Sequence, residues 1–428
     1  MRIAIFTDTY IPDTSGVVSS IDRFSKLLAD DGHQIIIFCP KNGRFKDKPY
    51  PNLEVKRYPS VTSPSYKDIR IALPFVLGVV ADLREFKPDV VHIQTPMGIG
   101  WIALWATKIL KLKNIQTYHT YIPDFLIYLK PKSLFGFTRV VNFVATSKMM
   151  KALVEEDITD KKETNGKLKQ YLQEKIEDAI TRANTNISGE RTEKFAWEYT
   201  RVLYNRADLV LTPSKVLKNS LVAHGVKSKV DVMSNGIEFT LFKKKTGYTI
   251  KNKLIHVGRL GYEKHLEVAI RALKIALEKN KGLTLDVYGD GPARKNWEQL
   301  TRQLGISKRV RFLGFVKREE LFTKYSEYDA FITGSTIETQ GIVLLEAMAA
   351  GLPVIAVDKL AVSEVVINGK NGYLSTPFKE KEMAANILIL FSDEEKIKKF
   401  GQYSLKVAKS HEITKCKEKM LAYYKSLV

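Results

Sequence analysis

Short apolar runs, each closed by turn residues, alternate with longer amphipathic segments along most of the chain. Rich in Ile, Val, Leu and Phe, the runs have the composition of strands that are buried on both faces. The predicted strands lie at 2–6, 34–38, 89–93 and 115–119 in the first half, and at 254–258, 284–289, 310–314, 329–334 and 353–357 in the second. Helical patterns such as 19–32 separate them. This alternation predicts an α/β fold with two doubly wound, largely parallel sheets.

The length of the chain favours two domains. At 428 residues it exceeds what a single hydrophobic core usually supports. Asn235-Gly236 is a turn signal, and the lysines that follow at 243–245 predict an exposed linker. We predict an N-terminal domain over 1–235, a C-terminal domain over 236–405, and a last helical segment, 406–428, that packs back on the first domain.

The net charge is the unusual bulk property of this chain. A formal charge of +21 favours an anionic partner, which could be nucleic acid, a phosphate-bearing small molecule or an anionic membrane surface. Cys39 and Cys416 lie far apart and predict neither a disulfide framework nor a zinc site, which fits a reducing cytosol. The start MRIAIFTDTY predicts a strand rather than a signal peptide. The apolar stretches 70–83 and 98–110 are too short to span a membrane.

Two glutamates, eight positions apart, stand out against the apolar pattern of residues 334–354. Glu338 lies in a polar loop, whereas Glu346 interrupts an apolar run that predicts a helix beginning at Thr339. Glu338 would then precede the helix, with Glu346 about two turns inside and roughly 10 Å away. The N–H groups and the dipole at the helix entrance favour an anion. A buried Glu346 needs donors, which either a ribose diol or a basic side chain would supply.

This block resembles the signature of a known family. STIETQGIVLLEAMAAGLPV is similar to the paired glutamates of retaining glycosyltransferases of family 4, which have the two-domain GT-B fold. The segments IFTDTYIPDTSGVVSSI, VVHIQTP, QTYHTY, LTPSK, SNGIEFTLF, HVGRLGYEKHLE, VYGDGP and FLGFV follow in the order that the family has. The resemblance implies two Rossmann-like domains with a nucleotide-sugar site in an interdomain cleft. IFTDTYIPDTSGV and ETQG are most similar to bacterial enzymes that transfer glucose to diacylglycerol.

The resemblance implies donor-binding roles around the glutamate pair. Glu346 would bond the ribose hydroxyls, and Glu338 would act as a catalytic residue beside the donor sugar. The backbone amides of the neighbouring residues would contact sugar hydroxyls and phosphate. These neighbours are Thr339, Gln340, Gly341 and Ile342. Arg259 and Lys264, from one strand-to-helix connection, would neutralise the donor diphosphate in the ground state and as it departs.

The resemblance implies roles for three further positions. Gly16 follows the first strand and lets the backbone approach the donor phosphates, although many members have a second glycine where this chain has Ser15. His119 ends a predicted strand and is implied to be a catalytic residue under the donor sugar, where it need not act as a base. Val316 matches a segment whose backbone meets the nucleobase.

The resemblance also implies the reaction, which moves a hexose from a nucleotide sugar, expected to be UDP-glucose, with retention at the anomeric carbon. Retaining hydrolases hold two carboxylates about 5–5.5 Å apart, and the predicted spacing of Glu338 and Glu346 is too large for that. We therefore expect a front-face path in which the departing diphosphate helps to deprotonate the acceptor. Because basic side chains and helix N-termini can replace a divalent ion, neither a metal nor another cofactor is predicted.

The expected acceptor is a membrane lipid, 1,2-diacylglycerol. Residues 121–143 interleave aromatic, aliphatic and basic side chains, which predicts either an amphipathic surface on an anionic bilayer or a core helix with exposed lysines. Asp124 could assist deprotonation of the acceptor. The charged segment 148–194 predicts a helical insertion, either solvated or in contact with a partner or a membrane. These features predict a peripheral enzyme at the cytoplasmic face of the cell membrane.

Other functions stay open from the sequence. A family 4 transferase could act on a cell-wall, polyprenyl-linked or soluble glycan, and a GT-B epimerase would consume the donor without an acceptor. A basic nucleic-acid-binding protein would also explain the charge. The sequence contains no zinc knuckle or RNP-type aromatic motif, so nucleic acid is not the predicted partner.

Overall fold

The chain folds into two compact units. The computed structural model describes residues 1–13, 15–43, 45–62, 70–73, 76–125 and 189–428. The first unit comprises Met1–Thr212, Ser220–Asp231 and Leu421–Val428, and the second comprises Pro213–Asn219 and Val232–Met420. The domain limits expected from the sequence stay a prediction. Most of the proposed membrane-facing stretch 121–143, the side chain of Asp124 and most of the insertion 148–194 lie outside the described residues.

A parallel sheet forms the centre of the first unit. Its strands are β1 (Arg2–Phe6), β2 (Gln34–Pro40) and β3 (Leu53–Tyr58), followed, after a small antiparallel pair β4 (Ser60–Thr62) and β5 (Arg70–Ala72), by β6 (Val90–Ile93), β7 (Asn114–Thr117), β8 (Leu209–Thr212) and β9 (Val230–Val232). Their order is β3-β2-β1-β6-β7-β8-β9. The described helices up to β9 are α1 (Gly16–Asp30), α2 (Val76–Phe86), α3 (Gly98–Leu110), α4 (Ile122–Phe125), α5 (Gly189–Tyr204) and α6 (Lys215–Ala223).

The second unit repeats the plan with a parallel sheet of its own. Its strands are β10 (Lys253–Val257), β11 (Thr284–Tyr288), β12 (Val310–Gly314), β13 (Ala330–Ile332), β14 (Val354–Val357) and β15 (Gly372–Ser375), in the order β12-β11-β10-β13-β14-β15. The helices are α7 (Leu266–Ala276), α8 (Arg294–Gln303), α9 (Arg318–Lys324), α10 (Ile342–Ala349), α11 (Val362–Val365), α12 (Glu380–Leu390), α13 (Glu394–Ser410) and α14 (Ile413–Lys425), whose residues from Leu421 onward belong to the first unit.

Each sheet contains a point where the strand order reverses. In the first unit β1 lies between β2 and β6, and in the second unit β10 lies between β11 and β13. The connections that follow β1 and β6 in the first sheet, and β10 and β13 in the second, therefore leave their sheet in opposite directions. This divergence opens a crevice at the carboxyl ends of these strands. Ligands of open α/β sheets bind at such points. The loops after β10 and β13, and those after β1 and β6, are the places to look for a site.

The predicted α/β class with two doubly wound, Rossmann-like sheets is confirmed. The strands at 2–6 and 310–314 have the predicted limits, and the other predicted strands are found within two residues of theirs. The exposed linker at 243–245 is wrong at Lys245, which is buried. Its ammonium donates to Asp329 at 3.0 Å and to the Tyr328 carbonyl at 2.6 Å. A turn signal and a lysine run do not reveal that a carboxylate distant in sequence can hold one of the lysines in the core.

Candidate functional site

The loops after β10 and β13 meet at the switch point of the second sheet. Gly334, two residues after β13, makes the approach possible, because a Cβ there would lie 2.2 Å from the carbonyl oxygen of His265. This contact places Lys264, from the loop after β10, beside Glu338, from the loop after β13. The Lys264 Nζ atom donates to Glu338 Oε1 at 2.7 Å. The structure thus brings together two of the residues predicted from the sequence.

Glu338 is buried and ionised. Burial by itself raises the pKa of its carboxyl, but the adjacent Lys264 ammonium and the hydrogen bond from it outweigh burial and hold the pKa below its usual value. Arg259, from the same loop as Lys264, is exposed and donates to Glu263 Oε1 at 2.7 Å. Two cations therefore flank one loop, each already in contact with a carboxylate, and a diphosphate would enter an environment of paired charges.

The helix that carries Glu346 begins later than predicted. α10 starts at Ile342, preceded by Gly341 in the left-handed region at φ 78°, where a Cβ would lie 2.7 Å from Leu344. Gln340 holds the preceding segment as a loop, because its amide oxygen accepts from Asn235 N at 2.9 Å and its amide nitrogen donates to Ser234 Oγ at 2.6 Å.

The late start changes the predicted position of Glu346. It lies little more than one turn inside α10, not two turns, since it is the fifth residue of the helix. Thr339, Gln340 and Gly341 form the entrance, and the N–H groups of Ile342 and Val343 lack intrahelical acceptors as at any helix start, whereas Leu344 N donates to the Gly341 carbonyl at 2.9 Å. The entrance therefore keeps the anion-favouring character expected of it.

Glu346 is buried against an arginine that the sequence analysis did not identify. Arg318, at the start of α9, donates from Nε and Nη2 to Glu346 Oε1, both at 3.1 Å, and it also bonds Glu238. The Tyr325 hydroxyl lies 3.4 Å from Glu346 Oε2. Of the two donors considered from the sequence, a ribose diol and a basic side chain, the structure contains the basic side chain. Glu346 stays a predicted partner of the ribose.

The guanidinium of Arg318 lies in a half-buried aromatic setting. It stacks 4.9 Å from the ring centroid of Phe322, in a geometry that favours a cation. Burial by itself lowers the pKa of Arg318, but the carboxylates of Glu346 and Glu238 raise it above its usual value. Val316, the predicted nucleobase neighbour, lies two residues upstream, half-buried against the core beneath α10.

A neutral histidine lies under the charged loops. His256, on β10, is buried, and its Nδ1–H group donates to the carbonyl of Ile332 on β13 at 3.0 Å. Burial lowers its pKa to about 4, although the bond to Ile332 acts in the opposite direction. Its Nε2 atom is buried without a protein partner among the described residues. The motif HVGRL contains this histidine, but apolar alternation alone assigns the position to the core.

At the switch point of the first unit, the loops after β1 and β6 are joined by a carboxyl group. Asp8 accepts from Thr95 Oγ1 at 2.6 Å, Met97 N at 2.9 Å and Ile99 N at 2.8 Å, so it caps the start of α3. Burial raises its pKa to about 6 despite these bonds. Sequence analysis missed Asp8, because its contacts lie about ninety positions away.

Gly16 is the exposed first residue of α1. Ser15, immediately before it, caps the helix by accepting from Val18 N at 3.2 Å. The serine that replaces the family's second glycine therefore has a local structural role. Gly16 stays a predicted donor-loop residue.

His119 lies beyond its strand, not at the end of it. β7 stops at Thr117, and His119 follows two residues later in a buried position. Its Nε2 atom lies 2.6 Å from Gln94 Oε1, and burial lowers its pKa to about 4. His119 is therefore neutral at physiological pH, and its role beside the sugar stays a prediction.

The described ranges contain neither a metal-binding cluster nor a membrane-spanning helix. Between residues 1 and 125 and from 189 onward, leaving out the undescribed positions, no group of three or more His, Cys, Asp or Glu side chains could hold a metal ion. Within the same ranges, no helix has the length and apolarity that a bilayer crossing requires.

Comparison with known proteins identifies the family. A family model described as Glycosyltransferase Family 4 matches residues 14–162, and one described as Glycosyl transferases group 1 matches residues 238–407. The alpha-monoglucosyldiacylglycerol synthase of Streptococcus pneumoniae is 28% identical over 371 residues, which cover 83% of this chain and 71% of that protein. The synthase of the same name from Acholeplasma laidlawii is 26% identical, over 87% of this chain and 84% of that protein.

A solved structure agrees with the fold. HepE from Anabaena, determined in complex with UDP and glucose, superposes with a TM-score of 0.71 at 19% identity over the full length of both chains. At this identity the likeness shows the fold alone, and the two family models supply the activity class. The chain belongs to the family 4, group 1 glycosyltransferases, and it is a hexosyltransferase with the GT-B fold.

Proposed function

We propose that this enzyme transfers glucose from UDP-glucose to 1,2-diacylglycerol, with retention at the anomeric carbon. The observation that carries the proposal is the set of paired charges at the carboxyl ends of β10 and β13. Lys264 contacts the ionised Glu338 at 2.7 Å, Arg259 extends from the same loop, and the entrance of α10 follows directly. Cations and helix N–H groups suit a diphosphate, and a fixed carboxylate suits the hydroxyls of a sugar.

We assign a role in donor binding to each of these groups and to the other predicted donor-binding residues. Arg259 and Lys264 neutralise the diphosphate. The backbone amides at the α10 entrance, residues 339–342, contact phosphate and sugar hydroxyls. Glu346 accepts from the ribose hydroxyls, with two hydrogen bonds from Arg318 holding its carboxylate in place. The Val316 backbone meets the base, and Gly16 lets its loop approach the phosphates.

The transfer step follows a front-face path. The bond between the anomeric carbon and the β-phosphate oxygen breaks, and a bond from the same carbon to the acceptor hydroxyl oxygen forms on the same face. The hydroxyl proton passes to the departing phosphate oxygen, and UDP leaves. Glu338 orients the sugar and stabilises positive charge that develops on it, while Arg259 and Lys264 stabilise the charge that develops on the leaving group. His119 contacts the sugar as a neutral imidazole.

The lipid acceptor is supported by two observations. Both synthases reported above are named for monoglucosyldiacylglycerol, and they align over more than four fifths of this chain. The charge of +21 would also attract the enzyme to an anionic bilayer, where its acceptor lies. We therefore propose peripheral attachment to the cytoplasmic membrane face.

A donor and acceptor screen tests the proposal. UDP-glucose, UDP-galactose, UDP-N-acetylglucosamine and GDP-mannose are each offered with diacylglycerol in mixed micelles, and the anomeric configuration of the product is read by NMR. We expect an α-linked glucosyl product from UDP-glucose. Transfer to soluble glycans but not to diacylglycerol would overturn the acceptor, and UDP-glucose consumption without any acceptor would overturn the transferase reaction. A chelator arm is expected to leave turnover unchanged; loss that magnesium or manganese restores would contradict metal independence.

A further inference from the structure

A chain of buried hydrogen bonds joins the C-terminal helix to His119 within the first unit. The hydroxyl of Tyr424, on α14, lies 2.7 Å from His92 Nδ1. The amide nitrogen of Gln94 lies 3.3 Å from the same atom, and its amide oxygen lies 2.6 Å from His119 Nε2. These four side chains are between 0% and 7% exposed, so water competes little for their bonds.

Gln94 determines which ring nitrogen of each histidine carries the proton. An amide oxygen can only accept, so His119 donates to it and has its proton on Nε2. An amide nitrogen can only donate, so His92 Nδ1 is an acceptor and also receives the hydroxyl proton of Tyr424. The His92 proton is therefore on Nε2, where it donates to Thr117 Oγ1 at 2.7 Å.

This arrangement leaves one atom with a lone pair and no partner. His119 Nδ1 is buried, carries no proton in this tautomer and meets no hydrogen-bond donor among the described residues. A neutral imidazole nitrogen of this kind accepts a hydrogen bond from a hydroxyl. The donor–acceptor sequence that begins at Tyr424 thus ends at His119 as an acceptor.

We propose that Tyr424 is a positioning residue for His119: through His92 and Gln94 it holds His119 as the Nε2–H tautomer, so that Nδ1 accepts from a hydroxyl of the sugar substrate. The second half of this inference rests on the proposed function, because it requires a sugar beside His119. It also assigns the last helix of the chain a role in the reaction.

The hydroxyl of Tyr424 matters because the hydrogen-bonded chain could run in the opposite direction. If Gln94 turned its amide over, His92 Nδ1–H would donate to the amide oxygen and the amide nitrogen would donate to His119 Nε2. His119 would then carry its proton on Nδ1 and repel a hydroxyl proton there. In that arrangement the Tyr424 proton would lose its acceptor, which is costly in a buried site. Tyr424 therefore stabilises the productive direction.

Nitrogen NMR of the histidine side chains tests the first half directly. In full-length protein labelled on its histidines, without donor or acceptor, we expect the Nε2–H tautomer for both His92 and His119. A His119 resonance with its proton on Nδ1 would overturn the proposal. The measurement needs no turnover, so the tautomer can be correct even if the proposed glucosyl transfer is not found.

A matched pair of variants tests the role of the hydroxyl. Tyr424→Phe removes the bond to His92, whereas Tyr423→Phe removes a hydroxyl on the same helix that donates to Asp231 at 2.7 Å. We expect Tyr424→Phe to shift part of His119 to the Nδ1–H tautomer and to lower kcat/KM for the sugar donor about fivefold, the effect of one neutral hydrogen bond.

The control separates positioning from stability. Because each variant loses one hydroxyl hydrogen bond, we expect Tyr423→Phe and Tyr424→Phe to lower the thermal midpoint by similar amounts. Tyr423→Phe should nevertheless keep the His119 tautomer and hold kcat/KM within about twofold of the wild type. If Tyr424→Phe kept the wild-type tautomer and matched Tyr423→Phe in turnover, the positioning role would be refuted. A tautomer shift in Tyr424→Phe without a change in turnover would support the hydrogen-bonded chain and refute its part in sugar binding.

Discussion

The switch points of the two sheets share a topology but differ in chemistry. At β10 and β13 charged side chains form salt bridges beside the neutral His256, Lys264 with Glu338 and Arg318 with Glu346. At β1 and β6 the buried groups are neutral histidines joined by hydrogen bonds, with a carboxyl group, Asp8, whose pKa is raised to about 6. Burial is similar in both places, and the difference lies in whether each group has an opposite charge beside it.

This difference indicates which kind of ligand each switch point is suited to bind. Lys264 and Glu338 are largely out of water already, so a diphosphate that displaces the carboxylate from Lys264 does not require the ammonium to be desolvated anew. A neutral hydrogen-bonded network instead offers directional acceptors and donors, which suit hydroxyl groups. One fold, used twice, thus provides an electrostatic site in the second unit and a hydrogen-bonding site in the first.

The largest expected effect comes from removing the charge of Glu338. Glu338→Gln is expected to lower kcat about 100-fold, because a fixed charge beside the reacting sugar is lost. UDP binding should not weaken, since the variant frees Lys264 from its carboxylate partner. Steady-state kinetics and calorimetric titration with UDP measure the two effects. Glu327→Gln, which alters an exposed pair with Lys324, serves as the control and should leave both unchanged. Equal kcat in the two variants would refute an electrostatic site.

Next in size is the loss of Arg318. Arg318→Met leaves the carboxylates of Glu346 and Glu238 without their shared cation, and we expect the chain to lose about 3 kcal/mol of stability. Lys398→Met, in an exposed pair with Glu395, should cost less than about 1 kcal/mol. Urea unfolding of the full-length variants gives both values. A cost for Arg318→Met no larger than the control would show that the pair is not needed to keep Glu346 in place.

Counted per residue, the smallest of the three effects is the response of the first unit to acid. His92 and His119 have pKa values lowered by burial to about 3 and about 4, whereas the unfolded chain has histidine pKa values of about 6.5. The unfolded state binds more protons between these limits, so stability falls as the pH falls from about 6.5 towards 4, by about 2 kcal/mol per histidine at pH 5. Asp8, with its raised pKa, acts in the opposite direction over about pH 4 to 6.

Calorimetric scans of wild type and of His119→Asn between pH 7.5 and pH 5 test this response. We expect the thermal midpoint of the wild type to fall as the pH is lowered. The midpoint of His119→Asn should fall less over the same pH range. An equal slope would mean that His119 is not held neutral by the fold. Asp8→Asn should steepen the slope, since the opposing contribution is removed.

Sequence patterns predicted most of the strands that are buried on both faces, because an apolar run needs no knowledge of its neighbours, but they missed the short buried strand β8. Three of the four edge strands, β3, β9 and β15, were missed, and β3 shows a physical reason. β3, with the sequence LEVKRY, mixes charged and apolar residues because one side of it has no neighbouring strand, and its residues are only partly buried. The start of α10 was also misplaced, since the Gln340 side chain that holds the loop takes its bonds from residues a hundred positions away.

The candidate site was predictable where motif and chemistry coincide, as at Glu338, Glu346 and Lys264. The partner of Glu346 was not. Arg318 lies 28 positions from Glu346, and Tyr424 lies 332 positions from His92, so no local pattern connects either pair. In the sequence, Arg318 is one basic residue among many in a strongly basic chain. Only the fold distinguishes it from a solvated surface residue.

A crystal structure of the full-length enzyme with UDP tests the central claim most directly, namely that the second unit binds the donor through its paired charges. We predict the diphosphate within hydrogen-bond distance of Arg259 or Lys264 and the ribose hydroxyls on Glu346. UDP bound elsewhere, for instance in the cavity of about 450 Å³ lined by Trp105, Lys108 and Arg206, with the β10 and β13 loops free of ligand, would contradict the account.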